Sequence, residues 1–493
     1  MLIKTSLDEI QNYLVDASNT KGFCDAVYFP ESNEDIIEIL KKANNENIPI
    51  TISGNHTGLT GSGVPRGGIV ISTEKLNKIL EINTVQEYAI VQPGVILADF
   101  LNEVKNNNYL YPPDPTEDKC FIGGTIATNA SGAKTFKFGP TRNYVEELQI
   151  ITADGDILIL ERGKQKAEEY SLRLKTESGK EIKLDIPELE MPHTKNASGY
   201  YFKKDMDAID LFIGSEGTLG VITKAKLKII AAPEKLISCV IFFDIEKNAL
   251  DFLGKARRLS YQTREIHQKN TIDALALEFF DEGALKFLAK DFAQVPANAK
   301  AAVWFEQEIK KENEDTILEL WMNLIIEFKG DEESAWFSLT ENDKKNIKEF
   351  RHAISWKINE YMAGKGFRKL GTDVAVPYYK FEELYYYAKN EVTSAGLKFV
   401  NYGHFGDAHM HLNMLTETME QFELGLKLYS MICSKAIKLG GTVSAEHGIG
   451  KNKTVYLLEM YGRENIKKMA GLKKKLDPNL ILGIGNIFAE DFF

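Results

Sequence analysis

The stretch ISGNHTGLTGSG, residues 52–63, holds four glycines, Gly54, Gly58, Gly61 and Gly63, with Thr57, Thr60 and Ser62 among them. Loops without Cβ atoms let backbone N–H groups approach a phosphate, and hydroxyls add donors. The segment lacks the Gly-Lys-Ser/Thr of a P-loop. It also runs toward a strand, IVIS (69–72), where a dinucleotide fingerprint of the GxGxxG kind would run into a helix. Alone, it reads equally well as a set of tight turns. Upstream, AVYF (26–29) and IPITIS read as strands. Between them, Ile36, Ile39, Leu40 and Ala43 form one helical stripe behind a Ser32/Asp35 capping pair.

Two more small-residue segments follow. One holds Gly123, Gly124, Thr125, Ala127, Thr128, Asn129, Ala130, Ser131 and Gly132; the other is Gly214-Ser-Glu-Gly-Thr-Leu-Gly220. Three such segments within about 170 residues look like walls of one extended cofactor site. VEELQIITADGDILIL (145–160) reads as a hairpin turning at Asp154-Gly155. Polar residues 161–205 read as an inserted hairpin or surface loop, and LFIGSEGTLGVIT (211–223) as a return to strand. Beyond Pro233, SCVIFFD, KAAVWFEQE and DVAVP read as strands and 246–259, 270–290 and 314–328 as helices, an α+β alternation. From 416 the chain reads as mainly helical.

Four of the eight histidines fall between 404 and 447, in NYGHFGDAHMHLNM (401–414) and GTVSAEHGIGKNK (441–453). Histidine and carboxylate are ligands for Zn, Mn or Fe in mixed N/O sites. Alternation puts His409, His411 and Asn413 on one strand face. A turn at Gly403 and Gly406 brings His404 back to that face. EFRHAISWK (349–357) offers Arg351 and, one helical turn on, Ser355. An arginine fork suits a carboxylate.

The bulk properties fit a globular chain. There are 493 residues, 44% apolar and 27% charged, with 71 acidic against 60 basic side chains. That balance argues against general binding to nucleic acid or anionic membrane. The start MLIKTSLDEI does not read as a signal peptide, and no apolar run approaches the roughly 20 residues of a membrane span. Cys24, Cys120, Cys239 and Cys433 are widely spaced, which predicts free thiols and a cytoplasmic protein; peripheral contact at the inner membrane face stays open.

In their order along the chain, ISGNHTGLTGSG, PPDP (112–115) with FIGGTIATNASGAKTFKFG (121–139), and IGSEGTLGVIT (213–223) resemble the PCMH-type FAD-binding domain of the vanillyl-alcohol oxidase superfamily. The resemblance is strongest to its D-lactate, glycolate and D-2-hydroxyglutarate dehydrogenase branch and spans nearly the whole chain. It implies an α+β fold: a two-subdomain FAD-binding domain over 1–230, a ferredoxin-like substrate domain over 231–415, and a helical segment, 416–493, returning to the flavin. It assigns Ser53, Gly54, Asn55, His56, Thr57 and Gly58 to the pyrophosphate and Pro113, Gly123, Gly124, Thr125, Asn129 and Gly132 along FAD. Glu216, Gly217 and Ile222 fall toward adenine. His56 stands where the branch commonly has Asn or Gly. Related oxidases bond a histidine in such a loop covalently to the flavin, so that role stays open beside a phosphate contact or simple loop filling.

YGHFGDAHMHLN and SAEHGIG resemble the branch's metal motifs, which assigns His404, His411 and Glu446 as ligands of a divalent ion (Zn, Mn or Fe). Asn413 and His447 then face substrate, with His447 as general base. Ala408 and His409 depart from the usual GDGNLHLN, and His409 is left between lining the flavin, joining the metal and competing with His447. Arg351, Ser355 and Lys369, in FRKLGTDVAVP, would hold the substrate carboxylate; Lys369 lies two positions earlier than in the branch, and Lys365 is a weaker candidate. The resemblance implies oxidation of a small D-2-hydroxy acid, D-lactate foremost; the electron acceptor, a quinone, a cytochrome, an electron-transfer flavoprotein or oxygen, stays open. D-2-hydroxyglutarate or glycolate dehydrogenase, the flavin subunit of a larger complex, and more distantly alkyl-dihydroxyacetone-phosphate synthase are the alternatives. A homodimer is an open assembly state.

Overall fold

The computed structural model describes residues 1–493 except Leu339. Three sheets position the site. The first has four strands in the order Leu2–Lys4, Ala26–Phe29, Ile69–Ser72, Ile50–Ser53, the last three parallel. Parallel strands need a crossover, and the helix Asn33–Glu46 supplies it. Its buried residues are the four of the stripe, Ile36, Ile39, Leu40 and Ala43. Ser32 Oγ accepts from Asp35 N, but the Asp35 carboxylate accepts from Glu31 N, so the return bond of the expected capping box falls one residue early. The glycine-rich loop leaves the end of Ile50–Ser53 and comes back at Ile69.

The second sheet is antiparallel, in the order Ile79–Asn83, Tyr88–Val91, Val221–Lys228, Val145–Ile151, Ile157–Glu161. Asp154-Gly155 lies in its last hairpin, with Gly155 at φ +79°. The third sheet has eight strands. Trp336–Phe337, Lys235–Phe243, Ala301–Ile309, Ala274–Asp281, Lys398–Gly403, His409–Leu415 and Leu370–Gly371 follow one another, and Val374–Ala375 also pairs with His409–Leu415.

Two expectations are corrected and a third is refined. Residues 270–290 are not one helix: Ala274–Asp281 is a central strand with all eight residues buried, and only Glu282–Leu288 is helical. A strand covered on both faces is a continuous apolar run, which periodicity does not separate from a buried helix. LFIGS is not strand either. Ile209–Phe212 is a helical turn, and the strand begins at Val221, after a loop that holds Glu216 at φ +52° and Gly217 at +71°. The polar insertion does form a hairpin, Ser171–Lys175 with Glu181–Asp185. Its following segment, however, turns inward: Ala197, Ser198, Gly199 and Tyr200 are buried, and Ser198 Oγ bonds Thr442 Oγ1 at 2.7 Å.

The C-terminal helices Met419–Lys438, Thr454–Tyr461 and Arg463–Leu476 are followed by a return to the first sheet. Ile50 N donates to Ile481 O and Gly483 N to Ile50 O, at 2.7 and 2.8 Å. Lys451 Nζ and Asn486 Nδ2 reach the carbonyls of Gly61 and Ser62 in the glycine loop. Among the described residues no helix is long and apolar enough to cross a membrane.

Candidate active site

A cavity of about 630 Å³ lies where the glycine-rich segments meet the third sheet. Ser53, Gly54, Asn55, His56, Thr57 and Gly58 form one wall, Gly123, Gly124 and Thr125 a second, and Glu216, Gly217 and Ile222 a third. Three predicted cofactor residues stand behind these walls. Asn129 is buried and turns its Oδ1 to Arg142 N, 3.0 Å away. Gly132 packs so closely that a Cβ would lie 1.8 Å from Asp114 O. Pro113 is buried beside them. These residues shape the wall without lining it. His56 sits at φ +56°, its Nδ1 3.4 Å from Ser53 Oγ and its ring edge-on to Tyr13. Glu216 accepts N–H bonds from Ile449 and Gly450, both 2.7 Å, and so ties the SAEHGIG loop to this wall. Burial raises its pKa to about 7, partly offset by those donors.

At the far end His404, His411 and Glu446 converge. His404 precedes a tight helical turn, Phe405–Asp407, that closes at Ala408 (φ +54°). Gly403, at φ +139°, starts it; a Cβ there would lie 3.2 Å from the His411 ring and backbone. His404 Nδ1 lies 2.6 Å from Glu278 Oε1, and His411 Nδ1 donates to Thr372 O at 3.0 Å. Both rings therefore turn Nε2 inward, 3.3 and 3.2 Å from the Glu446 oxygens. Bonds of about 2.1 Å to a shared tetrahedral ion separate ligand atoms by about 3.4 Å. The second nitrogen of each imidazole is also fixed by a carboxylate or carbonyl, as metal-binding histidines require. The donor set thus fits a divalent ion. His409 lies alongside: a ring nitrogen falls, with ligand atoms of His404, His411 and Glu446, within a mutual 4.8 Å.

Three residues here escaped the sequence reading. Glu278 also faces Arg351 Nε at 3.7 Å. Burial alone would raise its pKa, but His404 and Arg351 outweigh that and hold it below the usual range. The same contact lifts His404 to about 9, against a burial effect in the opposite direction. Asp373, fully buried, receives Glu446 N, His447 N, Ser444 Oγ and Lys453 Nζ, and lies 3.2 Å from His447 Nδ1. Lys195, from the inward segment of the insertion, bonds Glu446 Oε2 at 2.8 Å. A lone Glu inside the apolar run ALALEFFD was the available signal for Glu278.

Arg351, Ser355, Lys369 and His447 all line the cavity. Arg351 lies in the helix Glu341–Gly364 and is buried; Lys369 directly precedes the strand Leu370–Gly371. Asn413 does not line it. Its Nδ2 donates to His411 O at 2.8 Å, its Oδ1 is buried without a hydrogen-bond partner among the described residues, and a Cβ on Gly371, its strand partner, would lie 2.4 Å from that oxygen.

An FAD binding domain model matches residues 24–161, and an FAD linked oxidases C-terminal domain model matches 255–487. A glycolate oxidase subunit GlcD from Bacillus subtilis is 30% identical, covering 95% of this chain and 89% of its own. A D-lactate dehydrogenase from Anaerostipes hadrus is 29% identical over 92% of this chain and 88% of its own. A D-2-hydroxyglutarate dehydrogenase from Stutzerimonas stutzeri is 28% identical over 99% and 96%. Among solved structures, an alkyldihydroxyacetonephosphate synthase superposes with a TM-score of 0.66 at 16% identity, over 98% of this chain and 82% of that one; it shares the fold. With glycine-rich walls around one cavity, both domains matched and relatives aligned along nearly their whole length, the chain belongs to the FAD-linked oxidase and dehydrogenase family of the PCMH-type fold.

Proposed function

We propose that this protein oxidises a small D-2-hydroxy monocarboxylic acid, D-lactate foremost, to the 2-oxo acid. One observation carries the reading: the glycine-walled cavity also contains His404, His411, Glu446 and His447 together with two cations, Arg351 and Lys369. When bound, FAD supplies the acceptor for the substrate's Cα hydride, and a divalent ion at His404, His411 and Glu446 supplies a Lewis acid for the hydroxyl.

The chain's own groups do the rest. Arg351 presents a planar fork to the carboxylate, and Lys369 and Ser355 add a charge and a hydroxyl. His447 takes the hydroxyl proton, with Asp373 beside its Nδ1 to orient the ring. Lys195 and the two histidines keep Glu446 ionised: its carboxyl is held well below the ordinary range although burial alone would raise it. Within this reading, residues 1–230 hold the cofactor, 231–415 carry most substrate contacts, and 416–493 return Glu446 and His447. Electrons leave to a quinone, a cytochrome or an electron-transfer flavoprotein.

The preference for a monocarboxylate follows from charge. Among the described residues, the lysines and arginines lining the cavity are Lys369 and Arg351, against five carboxylates, Asp16, Glu117, Glu216, Glu278 and Glu446. Two cations serve one carboxylate and leave no lysine or arginine of the lining for a second. The test is anaerobic mixing of metal-loaded protein with D-lactate, L-lactate, glycolate and D-2-hydroxyglutarate while following the flavin absorbance. D-Lactate should bleach it fastest. Faster bleaching by D-2-hydroxyglutarate would overturn the monocarboxylate preference, and bleaching by none would overturn the whole reading.

A further inference from the structure

The strand His409–Leu415 carries one imidazole more than a three-ligand site needs. His409 is fully buried. Its Nε2 is 3.0 Å from Asp373 Oδ1 but out of line, and neither ring nitrogen has a hydrogen-bond partner among the described residues. A buried polar group left this way is unfavourable unless something else satisfies it. Its ring centroid lies 4.4 Å from that of His411 and 5.2 Å from that of His404. A ring nitrogen of His409 belongs to the same compact donor group as His404, His411 and Glu446.

Position separates His409 from the other three. His404, His411 and Glu446 border the cavity and His409 does not. It approaches the donor group from the protein interior, so a bond from it would leave the cavity side open to substrate. We propose that His409 is a fourth protein ligand, making this a three-histidine, one-glutamate centre in place of the two-histidine set. The inference rests on the metal reading above. A third imidazole also has a consequence for selectivity: it favours Zn²⁺ and Co²⁺ over the oxygen-preferring Mn²⁺ and Mg²⁺.

Asp373 is the competing partner, since a small ring rotation would turn its 3.0 Å contact into a hydrogen bond. X-ray absorption on the zinc-loaded flavoprotein separates the two. The proposal expects three imidazole shells in the parent and two in His409→Asn, with Zn²⁺ affinity in a chelator competition lower by at least ~10-fold in the variant. Two imidazoles in the parent would overturn it, whatever the variant does. A parent that binds no divalent ion would overturn the metal reading as well, an outcome distinct from the two-imidazole result. Equal zinc affinity of a folded, flavin-loaded His409→Asn protein would also sink it.

Discussion

Glu278 Oε1 lies 2.6 Å from His404 Nδ1, and the other Glu278 oxygen faces Arg351 at 3.7 Å. One buried carboxylate therefore orients a residue of the metal cluster and a residue of the substrate pocket. It fixes which histidine nitrogen points inward and neutralises a guanidinium that would otherwise be buried alone. Glu278→Gln keeps the shape and removes the charge; Glu278→Ala removes both. Divalent-ion affinity should fall by ~10- to 100-fold in the Ala variant and less in Gln, as measured by chelator competition. Equal affinity in all three proteins would show that Glu278 does not set the His404 ring.

Asp373 stands to His447 as Glu278 does to His404. It lies 3.2 Å from Nδ1 and also accepts the backbone N–H of His447 at 3.1 Å. Burial alone would raise its pKa, yet His447 and Lys453 hold it well below the ordinary range. If His447 is the base, Asp373→Asn should slow flavin reduction at saturating substrate by about 10²-fold or more, with His447→Asn at least as slow. Stopped-flow absorbance on variants of matched flavin content measures this. A His447→Asn enzyme reduced at the parent rate would remove the base role altogether.

Much of this was legible in the sequence because it depends on local chemistry. The three glycine-rich walls follow from a need for close backbone approach. The stripe Ile36, Ile39, Leu40, Ala43 is a helix whatever it packs against. The turn that returns His404 to the strand face depends on Gly403, which occupies a φ few other residues tolerate. What was not legible depends on which element becomes central. Ala274–Asp281 is apolar at nearly every position because strands flank it on both edges and its faces are covered, so Glu278 was hidden inside an apparent helix. Lys195 lies in a polar insertion whose far end turns inward, and nothing in its charge pattern distinguishes that end. Asn413 and His409 alternate correctly with His411, but alternation does not say which of the three reaches the cavity.

The two cavity cations should divide binding between them. Arg351 is buried against Glu278 with its guanidinium 5.5 Å from the Trp304 ring, a fixed fork. Lys369 is an unbranched point charge at the cavity wall. Lys369→Met should raise KM for the hydroxy acid by ~10-fold while leaving kcat within a few-fold, since it removes binding common to ground and transition states. Arg351→Lys keeps the charge and loses the paired hydrogen bonds, so KM and kcat should both suffer. Steady-state kinetics with an artificial electron acceptor give both numbers. An unchanged KM in Lys369→Met would remove that lysine from the carboxylate pocket.

Outside the cavity lining, Asp281 makes a pH-dependent contribution to stability. It caps the helix Glu282–Leu288 by accepting from Ala284 N at 2.7 Å, and its other oxygen accepts from Asn401 N at 2.9 Å. Burial raises its pKa from an ordinary 3.8 to about 7; the two donors offset part of this, and nearby Glu246 adds to the rise. The folded state therefore holds this proton more tightly than the unfolded chain. The stabilisation is fully present below about pH 4 and is lost as pH rises through about 7. Asp281→Asn keeps a good capping residue, stays neutral throughout, and should not share that loss. Between pH 5 and pH 8 the stability of the parent relative to Asp281→Asn should fall by about 3 kcal/mol, read from urea denaturation at each pH. A difference that stays constant across this range would mean that Asp281 is ionised in the folded protein even at pH 5, with the two backbone donors outweighing its burial.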